Sequence, residues 1–409
     1  MALRIVATKP GPALITLPWQ LSLEEWGEEY VVPLPRGISR HVVRIVRLGT
    51  DLYAVKQTRE PIAFREYRML RDLHRLGLPT VLPVAVVAGR ATPTGEEIEP
   101  ALVTRHLTYS LPYRSLFSHG LRSGSVPSLV DALVVLLVRL HLAGFFWGDV
   151  SLSNVLFRRS AGEFAAYLVD AETGELHPGL SDGQRNHDLT IAVQNLFGEM
   201  LDLQAGELLD AHLDLHLIVE RVRTRYDALW NELTGTEEFS TDEMWRIEQR
   251  TAHLNELGFD VDELDIVTDW DGATVRLQPK VVEAGHHSRE LQGLTGLDVE
   301  DNQARRLLND LASFTAHFDL GREDRRIVAQ RWLTDVYVPI TTMVPDRLRG
   351  RLEPAEIFHE MLEHRWYLSE QSGQEVDLVH TARDYIDGVL AQRPEELVTA
   401  ADDPDNLLG

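Results

Sequence analysis

The chain has 409 residues, enough for two or three domains with substantial cores. Its net charge of −24 disfavours nonspecific attraction to nucleic acid or to an anionic membrane surface. It has no cysteine, which excludes disulfides, thiolate metal sites and thiol nucleophiles and suits a cytoplasmic protein.

The opening MALRIVATKPGPALITLPW is not a secretory signal, because its apolar stretch is short and broken by proline. From about residue 28 to 107 the pattern is strand, strand, helix, strand, strand. RHVVRIVRLG and DLYAVKQT are strand-like runs around a Gly49-Thr50-Asp51 turn. AFREYRMLRDLHRLG has helical spacing, with Phe64, Tyr67, Leu70 and Leu73 on one side and Gly77 as a stop. TVLPVAVVAG and PALVTRHL form a second strand pair. SHGLRSGSVPS is a Gly/Ser/Pro linker.

Beyond the linker the chain turns helical. SLVDALVVLLVRLHLAGFF is the most apolar window, but it contains Asp131, Arg139 and His141 and reads as a buried helix rather than a membrane span. FFWGDVSLSNVLF follows, then a strand FAAYLVDAE, with helices expected over 188–203 and 205–233. A last region opens on STDEMWRIEQRTAHLNELG, where Ser240 and Glu243 have capping-box spacing. It continues as a hairpin with Asp271-Gly272 at its turn, and then as helices such as 299–318, with Leu307, Leu311, Phe314 and Phe318 in register.

The chemistry is concentrated in a few polar groups set in apolar surroundings. Lysine occurs only as Lys9, Lys56 and Lys280 among 40 basic residues, and Lys56 stands in an apolar strand where a charge is costly. Asp149 and Asn154 follow the apolar helix, and Asp170 ends an apolar strand. Glu66 lies in the helix after Lys56, placed to turn back to it; Glu60 is a nearer carboxylate but precedes Pro61 and falls in a loop. Phosphoryl transfer needs such a set: a lysine on phosphate, a carboxylate holding it, a base near the acceptor and oxygen ligands for Mg²⁺. Asp149 with Asn154 alone could be two turn formers. It is the combination that carries the signal.

On these residues the sequence resembles the protein-kinase-like superfamily. Within it, the likeness is to small-molecule and lipopolysaccharide (Kdo/WaaP-type) kinases and to an actinobacterial lipopolysaccharide-kinase-like family. The resemblance covers about residues 25–235. It implies an α+β fold in which a small antiparallel-sheet N-lobe (about 25–107) and a helical C-lobe (about 125–235) make a kinase-like domain over 1–235. A mainly helical domain with a β-hairpin then occupies 236–409.

The resemblance also assigns roles. YAVK makes Lys56 the phosphate contact, with Glu66 as its partner. WGDVSLSN makes Asp149 the catalytic base and Asn154 a metal ligand, and LVDAETG makes Asp170 the second ligand. Asp188 in RNHDLTIAV is structural, as loop brace or helix N-cap. The backbone of Arg105, His106 and Leu107 would hold adenine. The cofactors implied are ATP and Mg²⁺, and the acceptor is a hydroxyl of a small molecule, sugar or glycolipid-type compound.

The sequence departs from the pattern at Trp147-Gly148, where His-Arg is usual, and at Ala171-Glu172, where Phe-Gly is usual. It has a single glycine among Arg36, Ser39 and Arg40 in the phosphate loop. These departures argue against a peptide acceptor. They also motivate an alternative, a nucleotide-binding pseudokinase that regulates a protein partner through the C-terminal domain. His286 and His287 are adjacent and so are expected to point apart, without a third spaced ligand; with Lys280 and Arg289 they read as surface charge or as an anion-receiving patch.

Overall fold

The structure, a computed structural model, describes residues 2–8, 11–32, 41–49, 51–118, 121, 123–240, 243, 245–268, 274–374 and 376–396. Arg36, Ser39 and Arg40, Thr50 of the first expected turn and Asp271-Gly272 of the second lie outside the described residues. The chain divides into two compact units: residues up to Arg158 with Ala166–Arg223, and Arg159–Ala165 with Thr224–Glu396.

In the first unit, strands β1 (Arg4–Ala7), β2 (Val43–Leu48), β3 (Asp51–Gln57), β4 (Pro83–Ala88) and β5 (Ala101–Arg105) form an antiparallel sheet in the order β1-β4-β5-β3-β2. Four of these strands are the expected ones. β1 is an addition, and four residues are too few to show a period. Alternation along the strands sends Val46, Val55, Val87 and Val103 to one face, where they pack with Leu17, Trp19, Leu23 and Trp26. Lys56, next to Val55, therefore belongs to the other face.

Helix α1 (Glu60–Arg75) takes in Glu60, expected in a loop, because Pro61 is tolerated in a helix's first turn, where the missing N–H costs nothing. It buries Ala63, Tyr67, Leu70 and Leu73, and with them Glu66. It ends at Leu76 and Gly77, whose positive φ stops the helix as expected.

Helix α2 (Val126–Leu142) is buried on nearly every side, as its uniform hydrophobicity requires. The strand β6 (Ser110–Pro112) pairs with β7 (Val155–Ser160), and β7 with β8 (Glu163–Leu168). Helix α3 runs Asp182–Ala205, starting six residues earlier than expected because Ser181 and Gln184 form a reciprocal capping box. Asp188 is thus inside the helix, and the N-cap reading of it is corrected. Helix α4 (Leu215–Thr234) follows.

In the second unit, β9 (Glu237–Ser240), β10 (Phe259–Thr268) and β11 (Thr274–Ala284) form an antiparallel sheet with β11 central. Helix α5 is described over Trp245–Glu256, and both the N–H and the hydroxyl of Ser240 donate to Glu243, the N–H bond being one half of the expected capping box. Helices α6 (His286–Thr295), α7 (Asp301–His317), α8 (Arg325–Trp332), α9 (Pro354–Ser372) and α10 (Leu378–Gly388) surround a core that includes Leu307, Leu311, Trp332, Phe358 and Tyr385. Phe318, expected in register with Leu307 and Leu311, lies just past α7 and is exposed. Buried Glu356 accepts from the N–H of Ala161 (2.7 Å) and from Gln303 Nε2 (2.9 Å), which satisfies its charge within this unit. Among the described residues, no helix is long and apolar enough to cross a membrane.

Because Leu70 is fully buried on the face of α1 that also carries Glu66, Leu70→Ala is expected to cost about 2–5 kcal/mol in urea unfolding. A loss well under about 1 kcal/mol would contradict this packing.

Candidate active site

Lys56 on β3 and Glu66 on α1 meet because the sheet face opposite the valine cluster is the face α1 covers. Lys56 Nζ is 3.0 Å from Glu66 Oε2, 2.6 Å from Asp170 Oδ2 and 3.3 Å from Glu172 Oε2. Burial disfavours the ammonium, but Glu66, Asp170 and Glu172 outweigh it and hold the Lys56 pKa above the ordinary lysine value. Burial pushes the Glu66 carboxyl up to about 8, Asp170 adds repulsion, and Lys56 opposes both. Three carboxylates around one ammonium leave an excess of negative charge, and a proton on Glu66 relieves part of it.

The segment from Phe145 to Asn154 is pinned from two sides. Phe145-Phe146 pairs with Glu175-Leu176, Trp147 Nε1 donates to Asp170 O (3.2 Å), and Thr173 Oγ1 donates to Trp147 O (2.8 Å). From helix α3, fully buried Asp188 accepts from the N–H groups of Trp147 (2.7 Å) and Gly148 (2.8 Å). His141 Nε2 lies 3.2 Å from the same carboxylate, and burial keeps the His141 pKa low. Asn195 Nδ2 donates to Val150 O (3.0 Å). Glu199 accepts from the N–H groups of Leu152 (2.9 Å) and Ser153 (2.8 Å) and from Ser153 Oγ (2.6 Å). Burial raises the Glu199 pKa, and these donors oppose the rise.

Gly148 sits at φ 76°, a conformation that a side chain would strain, immediately before Asp149. The turn so formed brings Asn154 back onto Asp149: Asn154 Nδ2 donates to Asp149 O (3.0 Å) and Oδ2 (3.1 Å). With its nitrogen used this way, the amide turns Oδ1, the atom type a hard cation takes, away from Asp149.

Asp149, Asn154, Asp170, Lys56, Glu66 and Glu172 all line one cavity of about 810 Å³. Ile45, Ala54, Leu102, Leu156 and Val169 give it an apolar part beside Arg105, His106 and Leu107. The N–H of Arg105 is taken by Leu82 O (2.8 Å) and that of His106 by Leu52 O (2.9 Å), so those two donors are committed within the protein. Burial lowers His106 to about 4, so its ring is neutral. Lys56, Glu66, Arg105, His106, Leu107, Asp149, Asn154 and Asp170, each singled out from the sequence, line this cavity; Arg36, Ser39 and Arg40 lie outside the described residues.

Sequence reasoning missed four residues. Glu172 bridges Lys56 and His41, whose Nε2 is 3.2 Å away. Asn195 and Glu199 stand seven and eleven residues after Asp188 on one face of α3, a spacing that could have revealed them. In the second unit, His286 and His287 do not point apart: one ligand atom from each, with one from Glu290, lie within 4.8 Å of one another. His286 and Arg289 bind Asp260, and Glu290 binds Arg325 at 2.5 Å, which makes this an ion-pair network. The side chain of Lys280 lies outside the described residues.

The five-stranded sheet with its lysine–glutamate pair, followed by a braced loop and a helical part, defines a protein-kinase-like fold. Residues 40–196 match the Lipopolysaccharide kinase (Kdo/WaaP) family. Residues 228–390 match a second family, Domain of unknown function (DUF4032). No curated protein matches the chain. Among solved structures, WaaP in complex with acyl carrier protein is similar at 18% identity with a TM-score of 0.38, over 62% of this chain and 99% of that one.

Glu66 supplies a pH test. Its carboxyl goes from an ordinary 4.5 to about 8 on folding, so between those values the folded protein keeps a proton that the unfolded chain has lost. Stability therefore falls as pH rises through that window, whereas Lys56, raised above its ordinary value, contributes a constant amount there. The melting temperature without Mg²⁺ is expected to drop from pH 5.5 to pH 8 by several degrees more in the wild type than in Glu66→Gln; parallel curves would refute the shift.

Proposed function

We propose that the chain transfers a phosphoryl group from ATP, with Mg²⁺, to a hydroxyl of a small-molecule, sugar or glycolipid-type acceptor. The observation that carries this is the convergence in one cavity of Lys56, Glu66, Asp149, Asn154 and Asp170 from separate parts of the chain. The donor set suits the group: Asp170 and Asn154 offer oxygen to Mg²⁺, and the apolar slot beside residues 105–107 suits a purine. When bound, the cation neutralises charge on the phosphates and orients them.

The residues then act as follows. Asp170, now bonded to Lys56, would be one of the residues that hold the cation, and Lys56, kept in place by Glu66, would then be free to turn its charge to phosphate. Asp149 orients the acceptor hydroxyl and takes its proton. The acceptor oxygen forms the new bond to phosphorus while the bond to the ADP oxygen breaks, its electron pair leaving with ADP. Asn154 holds Asp149 in line through its amide nitrogen, and its carbonyl oxygen would be available to hold the cation. The family match at residues 40–196 supports the reaction type, and a need for ATP would place the chain in the cytoplasm.

A second reading, a nucleotide-binding regulator acting on a protein partner through residues 236–409, draws on Glu172, which holds Lys56 by a contact that phosphate would have to replace. It predicts a Mg-ATP-dependent rise in melting temperature without ADP release on any acceptor. The phosphotransferase reading predicts that Asp149→Ala lowers turnover by about 10²–10⁴-fold with nucleotide affinity nearly unchanged. Asp170→Ala is expected to abolish both turnover and Mg²⁺-dependent binding. ATP turnover that survives Asp170→Ala would overturn the assignment.

A further inference from the structure

The wall of the cavity is divided by charge. Its basic side chains, His41, Arg44, Lys56, Arg105 and His106, all come from β2 and the residues just before it, β3, and the end of β5 with the residues that follow it. From the loop after α2 to the last turns of α3, the wall contributes Asp149, Asp170, Glu172, Glu199 and Asp202, and among the described residues no lysine, arginine or histidine. Lys56, Asp170 and Glu172 belong to the nucleotide end, because they form one cluster at the sheet. The acceptor must bring its hydroxyl to Asp149, and the groups there come from the loop and from α3.

Those groups are acceptors of hydrogen bonds. Asn195 uses its nitrogen on Val150 O, which leaves its carbonyl oxygen. Glu199 keeps its carboxylate against Leu152 and Ser153. Asp202 is exposed, and Arg114, outside the wall, reaches it from 3.3 Å. Ser151, Ser153 and Gln194 complete the lining with hydroxyls and an amide. An incoming carboxylate or phosphate would face Asp149, Asp202 and the nucleotide's own phosphates, with no lysine, arginine or histidine among the described lining residues of that wall to receive it and with Arg114 paired to Asp202. Each such like-charge contact, a few ångströms away in partly hydrated surroundings, weakens binding by up to about tenfold, and a cation gains by the same factor.

We infer that the acceptor is a polyhydroxylated compound bearing an amine, and that sugar acids and sugar phosphates are rejected. This rests on the phosphotransferase reading and narrows it to a charge class. The amine meets Asp202 and the loop-side oxygens, the hydroxyls meet Ser151, Ser153 and the amides, and one hydroxyl reaches Asp149.

Three probes on one ring scaffold test this: glucosamine, glucose and glucuronate, titrated calorimetrically into the full chain loaded with Mg²⁺ and a non-hydrolysable ATP analogue. Glucosamine is expected to bind at least about tenfold more tightly than glucuronate, with glucose between them, and the ratio should shrink as salt is raised. Asp202→Asn is expected to cut that ratio by about threefold or more while the affinity for the nucleotide analogue stays the same. Equal or tighter binding of glucuronate overturns the inference, as does the absence of binding by all three to the loaded protein; both leave the nucleotide site standing. Failure of the Mg²⁺–nucleotide complex to form sinks the phosphotransferase reading itself.

Discussion

A buried ammonium has to be met by negative charge, and in this protein the charge comes from three places. Lys56 reaches Glu66 from the helix beside it, and Asp170 and Glu172 from a segment more than a hundred residues later. Removing one partner of a buried pair typically costs about 3–5 kcal/mol, so the contact ties the sheet, α1 and the end of β8 into one arrangement. The same contact is unbalanced, since three carboxylates oppose one cation. That imbalance is what a divalent cation at Asp170 would correct, and it explains why a structural ion pair here would be an extravagant choice where a leucine could serve.

The second constraint is the loop that carries Asp149 and Asn154. A turn this tight and this buried exposes backbone N–H groups that must find acceptors. Asp188 and Glu199 take four of them, and Asn195 takes a carbonyl, all from one face of α3. A single helix thereby fixes the loop's path before any ligand arrives. Preorganisation of this kind is what makes oriented charges effective in catalysis, because they need not be reorganised during the reaction. The acidic wall draws in part on the same arrangement: Glu199, which braces the loop, also lines the cavity.

Much of this was legible in the residues. Lys56 in an apolar strand, Glu66 on the buried face of a helix and Asp170 at the end of a strand are polar groups where burial is expensive, and each proved to have a partner. The four longer strands and the buried helix α2 followed from their hydrophobic periods. What was not legible depended on contacts across the fold. β1 was too short to carry a period, α3 began at a capping box that lay in a loop-like stretch, and Asp188 was mistaken for a possible N-cap because its position in the helix depends on that start. Glu172 looked like a substitution in a familiar motif, and only the structure shows it reaching Lys56 and His41. His286 and His287 were expected to diverge as neighbours on a regular element; at the first turn of α6 they converge instead.

A crystal structure of the chain with Mg²⁺ and a non-hydrolysable ATP analogue tests the central claim most directly. The account predicts Lys56 Nζ on a phosphate oxygen with Glu66 still beside it, and Asp170 and Asn154 Oδ1 on the same cation. A complex in which Lys56 keeps its bond to Asp170 and the nucleotide binds elsewhere would contradict it.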